Sequence, residues 1–294
     1  MVHKKHFVFV NNDIDGATAF LVFKWLTGKK DLLFKTVSKK SLKPVFDKWI
    51  STQSIDEYDF IYFFDIDPND ISSQIPPEKI VVINNTAVGT TPGTKIFVDT
   101  DTSTCKLVYR LFHKKLKTDL TDQQKLLLIL ADDLTRYAFA AKGSYELGLI
   151  FSNYQGDRVQ KYINNFHNGF TGFTPQHNNI INFYRNKLDT VKRDTEIFSA
   201  TLPLQGENRN IVAAFADSFI NEISDWLIST TSADISIIYN MNDNRVSFRR
   251  SELCNVNLSV VAKKLAGGGG HVYSSGGFVT DKMLQLSKIL KPYK

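Results

Sequence analysis

Residues 6–10, HFVFV, form a short apolar run closed by the turn-forming NNDIDG. An apolar run bounded by turn residues predicts a buried strand. After Gly16, ATAFLVFKWL carries apolar residues at helical spacing with no breaker, which predicts a helix. The alternation continues. LLFKTV (32–37) predicts a strand and LKPVFDKWI (42–50) a short helix. DFIYFFDID (59–67), KIVVINNT (79–86) and KIFVDTDTST (95–104) predict three more strands, and CKLVYRLFHKKL a helix. Strands alternating with helices predict a parallel sheet covered on both faces.

From Thr121 the pattern turns helical. Thr121 and Gln124 make a capping box ahead of KLLLILADD, and residues 178–198 predict one long amphipathic helix. Pro, Gly and polar residues at 201–210 predict a boundary, dividing the chain into 1–200 and 201–294. The second part predicts a strand (IVAAFA), a helix (SFINEISDWLIS), two strands around a turn at 242–244 and a helix (NLSVVAKKLA). The fold class expected is α/β, a parallel-sheet domain with a helical extension followed by a smaller α/β domain.

Composition narrows the function. The chain is 43% hydrophobic and 22% charged over 294 residues, enough for sizeable cores. No apolar run approaches the ~20 residues of a membrane span. The basic start precedes an apolar stretch of only about five residues, too short for a signal peptide, so a cytoplasmic protein is expected. Cys105 and Cys254 are far apart and in no metal-ligand spacing, which fits a reducing compartment and core-filling thiols. The net charge of +6 favours an anionic partner such as a nucleotide or nucleic acid. No GxxxxGK[ST] loop, GxGxxG turn or GxSxG elbow is present, so neither an NTPase, a dinucleotide oxidoreductase nor an α/β-hydrolase is supported.

Acids gather where the strands end. NNDIDG supplies Asp13 and Asp15, which alternation along an extended segment would put on one side. FFDID supplies Asp65 and Asp67, and LADDLTRY offers Asp132 and Asp133. Taken singly, each is an ordinary turn former or helix cap. Together, acids at the carboxyl ends of parallel strands suit Mg²⁺ or Mn²⁺, hard ions that take oxygen ligands. Near the C-terminus, LAGGGGHVYSSGGF concentrates glycine where the backbone turns or approaches something closely.

These stretches together resemble the DHH phosphoesterase superfamily, which includes RecJ-like exonucleases, nano-RNases and cyclic dinucleotide phosphodiesterases, over most of the chain. FVNNDIDG looks like the first motif, FFDID the second and LADDLTRY the fourth. The tail resembles the DHH-associated C-terminal domain, with its Arg-Ser strand and GGGHxxAAG segment. The resemblance implies a cleft between the two domains. It implies metal ligands at Asp13, Asp15, Asp65 and one of Asp132 or Asp133, and catalytic positions at Asp65, Asn84 and Asn85. It also implies substrate contacts from Arg249 or Arg250, Gly268, Gly269, Gly270, His271, Ser274 and Ser275, the two serines standing where alanines are usual.

The departures are as informative. Asn11 replaces the first-motif histidine, and Asn84, Asn85 and Thr86 replace the Asp-His-His triplet. Neutral amide oxygens are weaker metal ligands than imidazole, and lost electrostatic stabilisers cost orders of magnitude in rate. The expectation is a protein that binds a nucleotide or short single-stranded oligonucleotide and hydrolyses phosphodiesters weakly or not at all. The alternatives are an active Mg²⁺- or Mn²⁺-dependent phosphodiesterase or oligonucleotide exonuclease, and a structural subunit of a larger assembly. A metal cofactor is expected only if hydrolysis survives.

Overall fold

The structure is a computed structural model and describes residues 5–29, 31–89 and 92–293. It divides into two compact units, residues 1–181 and 182–294.

The first unit begins with β1 (His6–Asn11), α1 (Ile14–Thr27), β2 (Leu33–Val37), α2 (Leu42–Ile50), β3 (Phe60–Phe64), β4 (Ile80–Asn84) and β5 (Lys95–Val98). The five strands form one parallel sheet in the order β2-β1-β3-β4-β5. Successive side chains of a strand face opposite sides, and each side carries its own core. Val8, Val10, Tyr62, Phe64, Val81 and Ile83 face α1. Phe7, Phe9, Ile61, Phe63, Ile80 and Val82 face Leu42, Phe46 and Trp49 of α2. Because α1 is buried on nearly every side, it is apolar all round. The helices α3 (Thr104–Leu116), α4 (Asp122–Thr135), α5 (Ser144–Asn153) and α6 (Arg158–Asn165) follow, and the Thr121–Gln124 capping box forms as expected.

Helix α7 (Pro175–Asp194) runs from the first unit into the second, where Leu188 and Val191 join a core. The second unit continues with β6 (Phe198–Leu204), β7 (Glu207–Phe215), α8 (Ile220–Thr231), β8 (Ile235–Asn240) and β9 (Arg245–Arg250). It ends with α9 (Leu258–Ala266), β10 (Gly269–Gly270), β11 (Ser274–Phe278), α10 (Asp281–Ser287) and β12 (Lys291–Pro292). Its mixed sheet has the order β10-β11-β9-β8-β7-β6-β12.

The expected boundary at 201–210 is instead a β6–β7 hairpin inside this sheet. Its Pro and Gly mark a turn: Gln205 and Gly206 both take positive φ (52° and 88°), while Leu202 and Leu204 pack on the core. The long helix stops at Asp194, and Phe198 opens β6. Among the described residues no helix is long and apolar enough to cross a membrane.

Candidate functional site

In a parallel sheet of order β2-β1-β3-β4-β5 the strand order reverses between β1 and β3, and ligand crevices open there at the carboxyl ends of the strands. Asn11 closes β1, and Asp65 directly follows β3. Asp65 holds φ at 59°, a left-handed conformation uncommon for a residue other than glycine. Asp13 and Asp15 do not alternate along one strand: Asp13 is extended, but Asp15 is already helical. Asp13 is the N-cap of α1, its carboxylate accepting from Gly16 N at 2.8 Å, and Asp15 stands in the first helical turn. The start of the helix, not strand alternation, brings them to the crevice.

One amide ties the cluster together. Asn11 Nδ2 donates to Asp13 Oδ2 and, at 2.9 Å, to Asp65 Oδ2. The first turn of α3 supplies further donors. Thr104 Oγ1 donates to Asp65 Oδ1 at 2.9 Å. Thr104 N and Cys105 N, free because a helix start leaves its first amides unpaired, donate to Asp15 Oδ2 and Oδ1 at 2.8 and 2.7 Å. Asn85 Nδ2 completes the set on Asp15 Oδ2 at 3.1 Å. Asn84 turns elsewhere, its Oδ1 accepting from Thr86 N and Oγ1.

The two acids of α4 separate in role. Asp132 accepts from Ser103 Oγ at 2.7 Å and pairs with Lys106 Nζ at 2.8 Å, both residues at the start of α3. Asp133 accepts from Ala140 N, Ala141 N and Ser144 Oγ and so fastens the loop before α5. Asp132 is therefore the acid shared with the crevice elements. Sequence reasoning missed Ser103, Thr104 and Lys106. The pair Ser103-Thr104 ahead of an apolar-periodic run is a readable helix-start signal, but its partnership with acids at other strand ends is not.

Electrostatics follow from this crowding. Burial, then the Asp65 charge, raise Asp13 well above the usual carboxylate range. The same two causes push Asp15 up to about 7 against the opposing amides of Cys105 and Thr104. For Asp132 burial acts upward, but the Lys106 and Ser103 bonds outweigh it and the carboxyl is held below its ordinary value. Burial pushes the Cys105 thiol up, which leaves it a core group.

These shifts set a pH dependence. Above about 4, the unfolded value for Asp, the unfolded chain has released a proton that folded Asp15 keeps until about 7. Stability therefore falls as pH rises through that window, and Asp13 acts in the same direction. Thermal melts should show the melting temperature dropping from about pH 4 to about pH 7, and Asp15→Asn should flatten the drop. An unchanged slope in the variant would refute the assignment.

As arranged, the residues present do not fit the Mg²⁺ or Mn²⁺ that the resemblance implies. Among the described residues no group of three or more His, Cys, Asp or Glu side chains is arranged to hold an ion. The reason lies in the donors: Asn11, Thr104, Cys105 and Asn85 occupy the carboxylate oxygens, and the Lys106 ammonium supplies the cation beside Asp132.

In the second unit a cavity of about 310 Å³ is lined by Arg249, Gly269, Gly270, Ser274 and Ser275, together with Asn221 and Ser224 of α8. Arg249 is held in place: its Nη1 lies 2.8 Å from both oxygens of Asp225, and Nη2 donates to Asn221 Oδ1 at 3.1 Å. Arg250, next along β9, does not line the cavity, and its Nε is buried without a partner. Neither Gly268 nor His271 lines it. His271 is exposed and stacks on Tyr273 at 5.8 Å between ring centroids.

No family model matches the chain, and no curated protein does. Solved structures do. The pGpG-specific phosphodiesterase PggH from Vibrio cholerae aligns over 97% of both chains with a TM-score of 0.58 and 14% identity. RecJ from Thermus thermophilus in complex with Mn²⁺ aligns over 97% of this chain and 51% of its own, with a TM-score of 0.54 and 10% identity. The fold is RecJ-like. An exopolyphosphatase-related protein from Bacteroides fragilis aligns over 97% and 90%, with a TM-score of 0.51 and 13% identity. These identities speak for the fold, and the chemistry of this chain rests on its own residues.

Proposed function

We propose that this protein is a DHH-type phosphoesterase-like protein that binds a nucleotide or short single-stranded oligonucleotide, with phosphodiester hydrolysis weak or absent. One observation carries the reading. The carboxylates at the strand ends spend their oxygens on the chain's own amides, hydroxyls and ammonium rather than converging on an open metal position. The binding half rests on the small cavity around Arg249 in the second unit. There a fixed guanidinium, the Ser274 hydroxyl and exposed glycine backbone offer donors to a phosphate, while Ser275 Oγ donates to the Leu258 carbonyl at 2.7 Å. That similarly folded proteins are described as acting on pGpG and as a manganese-bound exonuclease sets the class of ligand to try first.

The test pairs binding with turnover. Purified protein is incubated with Mn²⁺ or Mg²⁺ and a panel of short RNA, short DNA and cyclic dinucleotides. Binding without cleavage is expected, weakened about tenfold by Arg249→Ala, as loss of a charge-assisted hydrogen bond implies. Metal-dependent cleavage abolished by Asp13→Ala or Asp65→Ala would instead establish an active phosphodiesterase.

A further inference from the structure

A second cavity, of about 770 Å³, opens in the first unit among the end of α5, α6 and the start of α7. None of the crevice carboxylates lines it; Tyr154, Gln155, Lys161, Asn165, Gln176 and His177 do.

Proton positions on its wall follow from donor and acceptor bookkeeping. The Thr174 backbone N–H points at His177 Nδ1 at 3.4 Å. A backbone amide can only donate, so Nδ1 is the bare nitrogen and Nε2 carries the hydrogen. His177 is only 5% exposed, and burial lowers its pKa, which keeps the ring neutral. Its Nε2 lies 3.3 Å from the Tyr154 hydroxyl and therefore donates to it. Asn165 Nδ2 donates to the same hydroxyl at 3.1 Å and to the Lys161 carbonyl at 3.0 Å. That carbonyl only accepts, so it fixes which way the amide faces. The Tyr154 oxygen thus accepts twice, and among the described residues nothing takes its own hydrogen. Lys161 also lines the cavity and pairs with no carboxylate among the described residues.

We infer that this cavity binds a small molecule through an anionic oxygen, of a carboxylate or a phosphate, that accepts from the Tyr154 hydroxyl and pairs with Lys161 Nζ. The side-chain amides of Gln155 and Gln176 supply donors and acceptors for the polar remainder of the ligand. Because the uncommitted hydrogen is set by two donors converging on one oxygen, the wall prefers an acceptor to a donor. An amine or a purely apolar ligand is disfavoured.

The full chain, labelled with ¹⁵N, is titrated with inorganic phosphate, acetate and AMP while the His177 ring nitrogens are followed by NMR. The expected spectrum shows the Nε2–H tautomer. A saturable shift is expected with at least one probe, the phosphate and acetate arms telling the two oxyanions apart. Tyr154→Phe and Lys161→Gln should each weaken that binding about tenfold, while Arg249→Ala leaves it unchanged and so separates it from the nucleotide site. Lys161 is exposed, so its variant keeps the test decisive should Tyr154→Phe fold badly. An Nδ1–H tautomer, no saturable shift with any probe, or a shift indifferent to both substitutions would overturn the inference.

Discussion

Gly268→Ala is expected to cost the second unit about 3 kcal/mol, the upper part of the usual range for overpacking. A Cβ at residue 268 would stand 1.9 Å from the Gly276 carbonyl oxygen and 2.6 Å from Gly277 Cα, both backbone atoms of β11. Neither can swing aside as a side chain does. Gly277 faces the same constraint from the other direction, its Cβ position lying 2.4 Å from the Ala266 carbonyl oxygen at the end of α9. The glycine run therefore exists first to let α9, β10 and β11 press backbone against backbone. Gly269 makes the internal control: a Cβ there meets nothing within 4 Å, so Gly269→Ala should stay within about 1 kcal/mol. Urea unfolding of the two variants measures the difference. Equal stabilities would show that the close approach does not exist.

Asp15→Ala has the next largest expected effect, a loss of about 3 kcal/mol from the first unit. The substitution strands Thr104 N, Cys105 N and the Asn85 amide, and each buried donor left unpaired costs roughly 1–3 kcal/mol. Part of this returns because crowding with Asp13 and Asp65 is relieved. The relief is greatest when Asp15 is ionised, so the loss should be larger at pH 5 than at pH 8, either side of the folded value near 7. Denaturant unfolding at both pH values gives the comparison, and a loss that grows with pH would contradict the raised pKa.

Much of the scaffold was legible in the chain. HFVFV and FIYFF are apolar throughout because both faces of their strands are covered, and continuous apolar runs are what a doubly covered parallel sheet requires. The gathering of Asp13, Asp15 and Asp65 could be anticipated because strand ends in such a sheet share one edge. The choice between Asp132 and Asp133 could not: adjacent helical residues point about 100° apart, and only packing decides which meets Lys106 and which meets the loop before α5. The turn at 205–206 looked like a linker because a hairpin turn and a domain boundary use the same Pro, Gly and polar residues.

By itself, then, the sequence determined the parallel sheet of the first unit, the helical stretch after Thr121, the acids at the strand ends and the glycine segment, since all of these are written in local periodicity and turn chemistry. The tertiary structure alone decided that Asn11 bridges two carboxylates, that the amides of α3 saturate Asp15, and that Asp225 restrains Arg249. Such pairings join residues up to ninety positions apart. Hydrogen bonds of that span leave no periodic trace in a chain, because they depend on where whole elements pack rather than on which residues adjoin.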